Sequence, residues 1–241
     1  MNSRHMPSRK SAAPAARSRG RPPGSDPVLS RDRVLDVAVR LVEKLGVDGL
    51  SMRKLAAELG VDSMSLYNHV ANKDALLDGI AERLVLSIEI PERTGDLRND
   101  LMALANAFRA AAVRRPQAVS LLLTRELRSF AGGLASAEAA LAILAEAGLD
   151  PDKAVHAFRT AFAFLVGTVL REVSVGPTFS GQNLGDLAHR RAELESAGMP
   201  FVAAASPHLA VIDHMVEFDF GLSLLIAGLE NYVSGGGSRR I

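Results

Sequence analysis

Between Ser63 and His69 the chain reads SMSLYNH, a run in which two hydroxyls, a thioether, a phenol, a carboxamide and an imidazole surround a single leucine. These groups suit contact with a DNA groove. Ser63, Ser65 and Asn68 are candidates for hydrogen bonds to base edges, Met64 for a thymine methyl, and Tyr67 and His69 for phosphates. Lys73 just beyond, and Ser51 with Arg53 just before, add groups able to hold phosphate or reach a base edge. The pattern is one of binding rather than turnover. No Ser/His/Asp order, paired-carboxylate spacing, Gly-rich phosphate loop or zinc signature accompanies it, so the residues do not point to an enzyme.

Two short helices joined by a turn must position this set. Ser51 is a good N-cap, Met52, Leu55, Ala56 and Leu59 give an apolar face at helical spacing, and Gly60 stops the first helix. The turn is Gly60-Val61-Asp62. The second helix starts at Asp62 or Ser63, and Leu66 with Val70 supplies one narrow edge to dock, leaving the other faces free. This is a helix-turn-helix. Ser30 caps a preceding helix with Val34, Leu35, Ala38, Leu41, Val42 and Leu45 on one side, ending at Gly46. Asn72-Lys73-Asp74 opens a fourth through about Ser87, with Leu76, Leu77, Ile80 and Leu84 inward.

PERTGD, residues 91–96, reads as a linker, and beyond it further helices are predicted at about 96–114, 117–128, 133–147, 151–174, 184–197 and 208–233. The expected fold is all-α, about ten helices, with no fixed-period repeat. It divides into a basic arm over 1–27 expected to be disordered, a DNA-binding unit over 28–90, a larger helical domain over 91–234, and a short disordered tail over 235–241. Nearly half of the 241 residues are apolar, enough for a sizeable core. The absence of cysteine excludes disulfides and thiolate metal sites and fits a reducing cytoplasm. The N-terminus is charged and proline-rich, unlike a signal peptide. No uninterrupted apolar run approaches the roughly 20 residues of a membrane span. The expectation is a soluble chain with no membrane partner.

A net charge of +1 hides an asymmetry. The first 27 residues hold Arg4, Arg9, Lys10, Arg17, Arg19 and Arg21 against Asp26 alone, leaving 22 basic and 26 acidic residues elsewhere. Arg19-Gly20-Arg21-Pro22 has the form of an extended arginine pair that enters a narrow minor groove. A solubilising tail touching phosphates without preference is the other reading of the same residues.

The segment from Leu29 to about Ser87, above all GLSMRKLAAELGV, SLYNHVANK and ALLD, resembles the N-terminal domain of the tetracycline-repressor (TetR) family, and FGLSLLIAGLE, Phe220 to Glu230, is similar to the last helix of one of its subgroups. The resemblance implies a homodimeric transcriptional regulator. It would most often be a repressor released from a palindromic operator by a small effector, with no cofactor. It also implies that the long helix near 151–174 and the last helix pair with their symmetry mates. Gly167, and Gly221 and Gly228 seven apart on one face, would then allow close approach, though such small residues equally suit packing within one chain.

Phe158, Phe162, Leu165 and Val169 form one stripe of the long helix, with Phe108, Leu121, Leu122 and Phe201 on neighbours that could close an effector cavity over it. Such a stripe is otherwise plain core. Where the family's founding subgroup places histidines for its drug and metal, this chain reads Phe162-Ala163-Phe164-Leu165 and Ala118-Val119-Ser120-Leu121. A lipophilic effector is therefore expected rather than a tetracycline–magnesium complex. His156, His189, His208 and His214 do not restore a metal site; His214 and Glu217 share a helix face at i, i+3, which is more simply an exposed polar face. The rival to a sequence-specific regulator is an architectural DNA coater that uses the basic arm and ignores sequence.

Overall fold

The computed structural model describes residues 29–124, 134–173, 187–209 and 211–235. Among these, twelve helical segments and no strand are found. Arg19 and Arg21 lie outside the described residues, as does nearly all of the tail.

The N-terminal head holds α1 (Arg31–Gly49), α2 (Met52–Leu59), α3 (Ser63–Tyr67) and α4 (Lys73–Leu86). Each begins at a side chain that accepts a hydrogen bond from an orphan N–H: Ser30 from Arg33, Ser51 from Lys54, Asp62 from Met64 and Asn72 from Ala75. Gly46, at φ 73°, leaves helical geometry inside α1, so the regular run ends there and one further turn follows to Gly49. Gly60 closes α2 in the left-handed region, at φ 70° and ψ 28°, where its N–H reaches back to Ala56 and Ala57.

The body comprises α5 (Leu97–Val113), α6 (Pro116–Val119), α7 (Leu121–Thr124), α8 (Ala135–Glu146), α9 (Pro151–Val173), α10 (Leu187–Ser196), α11 (Pro200–Leu209) and α12 (His214–Ser234). Three sequence expectations are corrected. The helix expected over 117–128 is, as far as Thr124, two short pieces that part at Ser120. The helix expected over 208–233 starts only at His214, where Asp213 accepts from the N–H groups of Met215 and Val216. The stretch left between the helices expected over 184–197 and 208–233 instead carries α11, which opens at Pro200. That helix runs through Pro207, whose missing N–H would strand the carbonyl of Ala203; the Ser206 hydroxyl donates to it at 2.8 Å.

One apolar cluster runs through both parts of the chain. Leu35, Leu55, Leu66, Leu76 and Ile80 of the head belong to the same buried group as Phe108, Ala112, Val119, Val166 and Val169 of the body. The carboxylate of Glu43 on α1 accepts from the N–H groups of Gln117 and Ala118 at 3.2 and 3.1 Å, so the head caps α6 across the divide. The 91–96 linker is pinned as well. Asp100, 3% exposed, accepts from Thr94 N–H and hydroxyl at 2.7 Å each, from Gly95 N–H at 3.1 Å and from Arg93 Nε at 3.0 Å. Arg93 also holds Glu146 of α8 at 2.6 Å. The bonds from Thr94, then those from Arg93 and Gly95, outweigh the desolvation of the Asp100 carboxyl and hold it well below the ordinary carboxylate range.

By length and mean hydropathy, 23 residues at 1.2, α9 is the one described helix that would pass as a membrane span, which the broken apolar runs of the sequence did not suggest. Here it packs against α5, α6, α8 and α12 and carries Arg159 and Arg171. Helices α10 and α11 pack chiefly on each other.

Candidate nucleic-acid interface and internal cavity

α3 is only five residues long, too short to hold a helix alone, and is held by its cap and by Leu66, which is fully buried. Val70, 4% exposed, follows on a turn whose N–H bonds back to Leu66 at 2.9 Å. With these two anchors inward, Met64, Tyr67 and Asn68 face solvent, Met64 at 73% exposure. Ser63, Ser65 and His69 are half-buried. Asn68 and His69, expected within the second helix, sit on the cap and turn that end it.

Around α3 the polar groups divide by what folding already uses. Ser51 spends a lone pair on its own helix but keeps its hydroxyl proton, and Lys54 donates to the Gly49 carbonyl at 2.8 Å. Arg53 on α2 and Lys73 at the start of α4 are exposed. The head therefore presents two cations, a hydroxyl donor and the α3 side chains around a helix that its core orients.

The body holds a cavity of about 410 Å³, partly open to solvent, between α5, α8, α9 and α12, reaching Val85 and Ile88 at the end of α4. Four anticipated residues line it: Phe108, Phe158, Phe162 and Leu165. Phe162 stacks with Phe158 at 6.0 Å between centroids and meets Phe108 edge-on at 6.1 Å. Three anticipated residues do not line it. Leu121 and Leu122 are buried in the core shared by head and body, and Phe201, 89% exposed on α11, points into solvent. Helix phase places residues around an axis but not helices around each other. Conversely Leu222, Leu225, Ile226 and Leu229 of α12 form a wall that went unrecognised, although their i, i+3, i+4, i+7 spacing was legible.

The three glycines separate. Gly167 and Gly228 have open space where a side chain would project, whereas a Cβ at Gly221 would lie 2.6 Å from the Phe164 ring. Gly221 therefore serves the packing of α12 on α9 within one chain. Glu217, paired in sequence with His214, forms an ion pair with Arg171.

Comparison with known proteins bears on both sites. The chain matches the tetR family of bacterial regulatory proteins over residues 34–80 and the tetracyclin repressor-like C-terminal domain over residues 91–233. The class A tetracycline repressor of transposon 1721 from Escherichia coli is 33% identical, over 83% of this chain and 90% of that protein. The HTH-type transcriptional repressor DrrR1 of Streptomyces coeruleorubidus is 31% identical, over 88% of this chain and 81% of its own length. Among solved structures, the ActR protein of Streptomyces coelicolor in complex with actinorhodin superposes with a TM-score of 0.73 at 25% identity, covering 88% of this chain and all of that one.

Proposed function

The chain belongs to the tetracycline-repressor family of bacterial regulatory proteins, and from that premise we propose that it is a homodimeric repressor released from a palindromic operator by a small lipophilic effector. At the coarser level it is a DNA-binding, ligand-responsive transcriptional repressor rather than an enzyme. Residues 28–90 form the reading unit and 91–234 the effector-binding and dimerisation unit, acting in the cytoplasm.

The observation that carries the reading is α3: buried Leu66 and Val70 fix it, while Met64, Tyr67 and Asn68 project from it with no structural duty. In a major groove Ser63, Ser65 and Asn68 would bond base edges and Met64 would meet a thymine methyl, while Ser51, Arg53, Tyr67, His69 and Lys73 hold the backbone.

Support for a dimer comes from outward stripes on the two long helices of the body. On α12, Val216, Phe220 and Leu224 are 62%, 66% and 59% exposed, and the stripe continues to Gly228; on α9 it runs through Ala163 to Gly167. A two-fold partner pairing these stripes would set two copies of α3 about 34–36 Å apart, one turn of DNA, so the site read would be a palindrome. An effector in the body cavity acts by favouring a head spacing that no longer fits, a coupling of roughly 1–3 kcal/mol. The ActR structure is a complex with actinorhodin, which supports a small-molecule effector for this chain.

Selection from randomised duplex DNA with the purified chain at near-physiological salt tests this. A recovered palindrome is the expected result. An unenriched pool with a steep salt dependence would instead favour a sequence-blind coater.

A further inference from the structure

The cavity in the body carries its own statement about what can enter it. Its described walls come from five helices and contain no charged side chain; the only polar ones are Ser136 on α8 and Thr160 on α9. Because α8 and α9 are consecutive and packed together, joined by Ala147 to Asp150, residues near the start of α8 lie level with the middle of α9. The two hydroxyls therefore mark one level of the cavity.

Their hydrogen-bonding states differ. Thr160, which is exposed to solvent at the open side of the cavity, donates its proton to the His156 carbonyl at 2.9 Å and has lone pairs left to accept. Ser136 is capable of donating. The aromatic part of the wall is the group Phe108, Phe158 and Phe162, packed on one another through one stacked and one edge-on contact.

Resting on the effector role just proposed for this cavity, we infer that its ligand is an uncharged ring compound with one polar pole. The rings lie against Phe108, Phe158 and Phe162, and a hydroxyl or carbonyl faces Ser136 and Thr160. An ionised group buried here would find no countercharge among the described walls, and its desolvation would go uncompensated. A metal chelate would find no imidazole or carboxylate among them to complete its shell. One polar pole is what the described wall can satisfy, since a second carbonyl or hydroxyl elsewhere along it would face only methyl, methylene and ring atoms.

Fluorescent probes that differ by one charge test the idea on the full chain. N-Phenylnaphthylamine, neutral, should brighten and saturate at one per chain, while anilinonaphthalene sulfonate, the same ring system with a sulfonate, should bind at least about tenfold more weakly. Equal binding of the two would overturn the exclusion of charge. Naphthol should displace the neutral probe better than naphthalene does, and the gap should close in the double variant Ser136→Ala, Thr160→Val; no gap in the native chain would overturn the polar pole. Ala137→Phe, which fills the cavity, should abolish binding. Its thermal unfolding and its recovery of the native chain's DNA site show that it is folded. Neutral-probe binding that survives in that folded variant would place the site elsewhere. If neither probe binds while the native chain still selects a DNA sequence, the ligand inference fails and the regulator reading stands.

Discussion

Asn68 and Ser65 keep their polar groups once α3 has been built, whereas Asp62, Asn72 and Lys54 nearby are committed to backbone atoms. Replacing both Ser65 and Asn68 by alanine should therefore abolish sequence preference on a randomised pool while dimerisation, read by sedimentation, is unchanged. Retained selectivity would remove them from the base-reading set. Asp100 makes a different prediction. Its carboxyl is held below the ordinary range in the folded chain, so its contribution to stability is fully present above the unfolded value of about 4 and is lost as pH falls from there toward the folded value. Urea unfolding followed from about pH 5 down to about pH 3 should show this slope in the native chain and a flatter one in Asp100→Asn. The caps at Ser30, Ser51, Asp62 and Asn72 were legible because a cap and its helix are neighbours in sequence. The burial of Asp100 was not, since a carboxylate in LRND reads as surface until Thr94 and Arg93 are seen to fold over it.

Among the elements, α6 depends on a residue far from it. Its own N-cap position, Arg115, makes no side-chain capping bond, and Glu43 of α1 supplies the acceptor instead. Glu43→Ala should cost about 0.5–2 kcal/mol in urea unfolding, the usual range for a lost cap, and a loss of that size would confirm that head and body are fastened there. No pattern within 117–128 announces such a cap, which is why that stretch reads as one helix from its own residues. The same limit explains α11: Pro207 signals a helix start to a reader of local rules, and only the Ser206 bond to the Ala203 carbonyl shows how a helix passes through it. Gly79 is a further case. A Cβ there would lie 2.5 Å from Leu35 Cδ2, so this unremarked glycine sets how closely α4 approaches α1.

At the level of the whole molecule, the outward stripe of α12 is an apolar surface left over by the folding of the described residues, and the dimer proposal rests on it. Phe220→Asp with Leu224→Arg should yield monomers by sedimentation. Affinity for a full palindrome should fall to that for a half-site, with helical content by circular dichroism unchanged because neither side chain contributes to the buried core. A stable dimer in that variant would move the interface elsewhere. The continuous core has a consequence for anyone who would rewire this regulator. Tandem modules invite exchange at the linker, here 91–96, as if one reading cartridge could be unplugged and another inserted. A graft cut there would separate Leu35 and Ile80 from Val119 and Val166, and Glu43 from α6, leaving both halves with mismatched apolar faces. A working hybrid has to carry α6 and the facing turns of α9 along with the head, so the heritable unit of specificity is larger than the part that touches DNA.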